Sequence, residues 1–99
     1  MIDSGKKMIT IYIDQAVDVH WHLPSAQKAN GMIEGDEVVR TFENLIPACE
    51  YAVAMAKEGN LLVHLYPDAG PSLNVAQAQK IVTEWETGKI SIDATEIEI

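Results

Sequence analysis

Two runs of strict alternation stand almost back to back near the start of the chain. Ile9, Ile11 and Ile13 are followed by Val17, Val19, Trp21 and Leu23, with Met8, Thr10, Tyr12 and then Asp18, His20 and His22 between them. Successive side chains leave a strand on opposite sides, so this period of two is the pattern of strands with one buried face. Such a chain has to build a sheet and cover one side of it. The connection Asp14-Gln15-Ala16 allows a hairpin that keeps apolar opposite apolar, with Ile13 against Val17, Ile11 against Val19 and Ile9 against Trp21.

The cover comes from two helical stretches. Asn44 has the side chain of an N-cap, and Cys49, Ala52, Val53 and Ala56 follow at helical spacing, which predicts a helix over about residues 45–58 ended by Gly59. Asn74 and Gln77 have capping-box spacing, and Val75, Ala78, Ile81, Val82 and Trp85 share one face before Gly88. Between them Leu61 to Tyr66 is almost continuously apolar and is expected inside the sheet, covered on much of both faces and ended by Pro67. A short third strand is expected within residues 37–42, after a breaker-rich connection over 24–31 and a tight turn at Gly35. A last strand is expected over 90–99, with a bend near Asp93 to Thr95.

These elements predict one α+β domain over residues 1–99: a single, mostly antiparallel sheet of four or five strands in the order ββ(β)αβαβ, with two helices packed on one face. Chains of 99 residues rarely divide into two cores. Hydrophobic residues at 47% and charged residues at 22% are ordinary globular usage, far from the composition of disordered chains.

Fifteen Asp and Glu against seven Lys and Arg give a net charge of −8, which disfavours phosphate backbones and anionic lipid as partners. No apolar run is long enough to span a bilayer, and the apolar stretch after Lys6-Lys7 meets Asp14 too soon for an export signal. With one cysteine, Cys49, no internal disulfide forms, and a reducing cytoplasm is the expected compartment. Cys49 sits on the apolar stripe of its helix, where a thiol acts as a small hydrophobe rather than a nucleophile. The chain has no G-x-S-x-G, P-loop or G-x-G-x-x-G pattern.

His20-Trp21-His22 is the sharpest local feature, because His-x-His on a strand sends both imidazoles to one face. His64 joins them if Val63 faces the helices. The three rings are either solvated side chains of a sheet face or ligands of zinc or a similar divalent metal, with Asp18 beside them. Under the hairpin register one open face presents Met8, Thr10, Tyr12, Asp18, His20 and His22 with Leu62, His64 and Tyr66. That is more apolar than a freely solvated face needs, so cover by a partner, by a second copy or by residues 24–36 is expected. Single-stranded bases can stack on such aromatics, but this face lacks the basic groove they require.

The segment from Glu84 to Glu98 holds Glu84, Glu86, Asp93, Glu96 and Glu98 against Lys89 alone. Their i, i+2 spacing is that of solvated charge rather than acid–base machinery, although an acidic edge also steers a domain onto basic sites. The sequence therefore favours a noncatalytic protein-interaction module, inhibitor-, immunity- or adaptor-like. It would self-associate as a homodimer and touch its partners through Tyr12, Asp18, Tyr66, Glu84, Glu86, Glu96 and Glu98, without a required cofactor. The alternatives are a metal-binding protein or enzyme using His20, His22 and His64, and an enzyme with a pocket between the sheet and residues 24–36.

Overall fold

In the computed structural model, residues 7–90 and 93–98 are described. The strands are β1 (Met8–Tyr12), β2 (Val17–His22), β3 (Val38–Phe42), β4 (Leu61–Pro67), β5 (Leu73–Asn74) and β6 (Ala94–Glu98). The helices are α1 (Leu45–Lys57) and α2 (Val75–Glu86). This is the expected α+β class, but the strands form two antiparallel sheets instead of one: β3-β2-β4-β5 and a ribbon of β1 with β6.

The hairpin between the two alternating runs does not form. β1 pairs with β6, Ile9 opposite Ile97 and Ile11 opposite Thr95. β2 lies between β3 and β4, Val17 facing Phe42 and Pro67, and Val19 facing Arg40 and Leu65. The physical reason lies at Asp14-Gln15-Ala16, which has no glycine to close a hairpin and is held as a crossing between the sheets. Ile13 donates its N–H to Asp93 O at 2.9 Å and accepts from Leu45 N at 2.8 Å, and Gln15 ties Tyr12 O to Ala69 N through its side chain. The apolar alternation is still obeyed, since Ile11, Ile13, Val17, Val19 and Trp21 are all buried in one core, but their partners come from distant strands.

Asn44 caps α1 by accepting from Ile46 N, and Leu45, Ile46, Ala48, Cys49, Ala52 and Val53 are buried. This helix lies directly on β2, β3 and β4. The capping box of α2 is present, with Asn74 Oδ1 accepting from Gln77 N and Gln77 Oε1 accepting from Asn74 N. Ala78, Ile81 and Val82 are buried as the sequence predicts, whereas Trp85 is 38% exposed. The second helix departs from the expected layer, because it packs mainly on α1 and borders the ribbon, where Gln77 Nε2 donates to Glu98 O. Among the described residues no helix is long and apolar enough to cross a membrane.

β4 is central, as its apolar run implies, yet only Val63, Leu65 and Pro67 are buried, and Leu62 and Tyr66 stand exposed on the other face. Opposite Trp21 the strand carries an extra residue: His20 faces His64 but His22 faces Leu61. Leu62 sits in this bulge at φ 51°, a left-handed backbone that a branched side chain rarely adopts. Residues 24–37 form the expected connection, with a short 3-10 turn at Pro24–Ala26 and a bridge between Gln27 and Ile33. The expected last strand is β6 alone; Ser91, Ile92 and Ile99 lie outside the described residues.

Substitutions at two positions separate core from bulge. Leu65→Ala, at a side chain with no exposed surface, is expected to cost about 2–5 kcal/mol of unfolding free energy in urea titration. Leu62→Gly is expected to be close to neutral, because relief of the left-handed strain offsets the added chain entropy. Leu62→Val at the same point is expected to lose about 1–2 kcal/mol.

Candidate functional site

The even residues of β2 leave the sheet on the side away from α1, because Val17, Val19 and Trp21 occupy the side facing the helices. Across the ladders Asp18 lies between Thr41 and Tyr66, and His20 between Val39 and His64. His20, His22 and His64 therefore share one face, as the sequence predicts when Val63 is buried. Asn74 of β5 lies opposite His64 and completes that row.

His20, His64 and Asp18 are each held by a neighbour on the face. His20 Nδ1 donates to Glu37 Oε1 at 2.6 Å, and the other side of the same ring meets Tyr66 edge-on with centroids 4.5 Å apart. His64 Nδ1 donates to the Leu62 carbonyl at 3.2 Å, the carbonyl of the bulge residue. Thr41 Oγ1 donates to Asp18 Oδ1 at 2.6 Å. His22 Nε2 lies 3.9 Å from Glu37 Oε2, and its Nδ1 is buried without a hydrogen-bond partner. Among the described residues no group of three or more His, Cys, Asp or Glu is arranged to hold a metal ion.

Glu37 is the residue that reading the chain alone missed. It precedes β3 with the parity of Val39 and Thr41, so pairing β3 with β2 at once places it beside His20 and His22. The signal was the alternation 37, 39, 41, and it had no meaning until β2 acquired β3 as a neighbour. Arg40 has the opposite parity and lies over Phe42 and Tyr51, 5.0 and 4.9 Å from the ring centroids, on the helix side of the sheet.

The remaining predicted positions do not gather at this face. Tyr12, with Met8 and Thr10, belongs to the ribbon, so the open surface expected from a single sheet is divided between two. Glu84 and Glu96 line a cleft of about 470 Å³ between the ribbon and α2, together with Lys80 and Lys89, so acidic and basic groups meet there. Glu98 borders a smaller depression of about 290 Å³ beside Gln77 and Lys80. Glu86 is exposed at the end of α2. Neither hollow is lined by residues 24–36, where the alternative reading as an enzyme places its pocket.

Cys49 is fully buried under the sheet, and its thiol is pushed from 9.0 up to about 12, first by burial and then by the nearby Glu50 charge. In folded protein it is expected to resist a thiol reagent at pH 8 and to be labelled only in denaturant. The folded thiol keeps its proton after the unfolded one has lost it. Its contribution to stability is therefore intact below about pH 9 and declines as pH rises toward about 12. Denaturation curves of Cys49→Ala should show a shallower decline across that interval than those of the parent chain.

Comparison with protein-family models, with curated proteins and with solved structures gives no match, and the functional reading rests on the geometry of the sheet face itself.

Proposed function

We propose that this chain is a small, acidic, noncatalytic protein-interaction module that self-associates through the open face of the four-stranded sheet. It would meet a basic protein partner through the edge carrying Glu84, Glu86, Glu96 and Glu98, and act in the cytoplasm as an inhibitor-, immunity- or adaptor-like protein. The observation that carries the reading is the large apolar side chains that stand exposed on this face. Val39, Leu62 and Tyr66 are 49%, 53% and 44% exposed there, around side chains already fixed by hydrogen bonds. Apolar groups set among ordered polar ones are the composition of a protein interface, and burying them returns roughly 25 cal/mol per Å². The face needs little further ordering on association, which lowers the entropic cost of binding.

A metal-binding protein is the second reading, favoured by the convergence of His20, His22 and His64 on the same face. It ranks below the first because the described residues of one chain do not arrange three ligands.

Sedimentation velocity over a concentration series, in buffer without chelator, tests the interface. The pair Leu62→Asn and Val39→Thr removes apolar surface while suiting the left-handed and strand backbones, and is expected to weaken self-association at least tenfold. Parent-like association of this variant would remove the face from consideration. Reversal of Glu84, Glu86, Glu96 and Glu98 to Lys is expected to slow capture by a basic partner and to abolish its salt dependence, leaving self-association intact.

A further inference from the structure

The two directly opposed histidines, His20 and His64, have a property that the third does not share. A carboxylate or carbonyl oxygen only accepts, so the hydrogen bonds to Glu37 and to the Leu62 carbonyl place the ring hydrogen on Nδ1 in each case. In the neutral form of each ring the lone pair is then on Nε2, and among the described residues neither Nε2 has a partner. An imidazole with Nδ1–H held by a carboxylate or carbonyl, and Nε2 unengaged, is the arrangement of a metal-ligating histidine. The antiparallel register puts the two residues directly opposite on one face, where Cβ atoms stand about 4.5–5.5 Å apart. His22 differs, since its Nδ1 is buried and its Nε2 is directed to Glu37.

From these observations we infer that His20 and His64 form half of a tetrahedral site for zinc or a similar divalent transition metal, completed by the same two residues of a second copy packed face to face. The inference rests on self-association through this face. Two imidazoles meet half of zinc's demand for four ligands, in keeping with the absence of a three-ligand group within the described chain. A two-fold axis through the metal supplies the other half without further residues, because an isologous interface presents each patch twice.

Charge selects the occupant. The face carries the carboxylates Asp18 and Glu37, while β4 and β5 add Leu62, His64, Tyr66 and Asn74. Among the residues of β2, β3, β4 and β5 no Lys or Arg balances them there, since Arg40 lies on the other side of the sheet. Two copies of a chain with net charge −8 brought together on this face repel, and a divalent cation at the shared centre offsets part of that repulsion.

The test is native mass spectrometry and sedimentation velocity of the untagged chain in EDTA and with zinc sulfate alone. The expected result is a dimer holding one zinc per two chains, with association at least tenfold tighter than in EDTA. His64→Gln should remove both the zinc and the tightening while far-UV circular dichroism stays unchanged, and His22→Gln should retain them. One zinc per monomer, or loss in His22→Gln as complete as in His64→Gln, would overturn the shared pair. A dimer that forms equally in EDTA and holds no zinc would overturn the metal and leave the apolar interface standing. A chain monomeric in both buffers would overturn the metal bridge and the self-association together.

Discussion

β2 is paired along both edges and alternates buried with half-buried residues along its whole length, and the rest of the fold is arranged around that constraint. Val17, Val19 and Trp21 must be covered, and α1 supplies the cover with small residues that let helix and sheet approach closely. Ala48, Cys49 and Ala52 have no exposed surface, and Tyr51 closes the end by meeting Trp21 edge-on at 5.5 Å. The same alternation forces Asp18, His20 and His22 to the opposite side. The burial that makes the core therefore also creates the polar face.

The bulge at Leu62 decides how that face is composed. An extra residue in β4 keeps Val63 and Leu65 in the core while admitting two leucines, Leu61 and Leu62, at the end of the strand beside His22. The backbone there is strained, and its carbonyl is the group that accepts from His64 Nδ1. Strain of this size persists only where the surroundings fix it, and here long ladders on either side do so. The result is an imidazole with a defined tautomer on a surface that also exposes a large apolar side chain.

The one thiol is buried and made less acidic, so it serves packing. The cleft beside α2 mixes Lys80 and Lys89 with Glu84 and Glu96, and the smaller depression sets Lys80 with Glu98, which softens the acidic edge that residues 84–98 suggest by composition. What is concentrated in one place is the row of histidines with their carboxylate, threonine and tyrosine neighbours.

Much of this was legible in the order of the residues. The α+β class, the alternation of β2, both helices with their asparagine caps, and the convergence of His20, His22 and His64 follow from periodicity and capping chemistry, which act over a few residues. Pairing does not. Ile9, Ile11 and Ile13 are equally satisfied opposite Val17, Val19 and Trp21 or opposite β6, because apolar burial rewards area and not identity. The choice fell to contacts distant in sequence: Ile13 bonded to Asp93 and Leu45, and Gln15 tied to Ala69. That choice moved Tyr12 to another sheet, gave β2 a second neighbour and brought Glu37 to His20. Local sequence determined which side of each strand is buried, and tertiary structure decided which strands share a face, because a period of two carries no information about the partner.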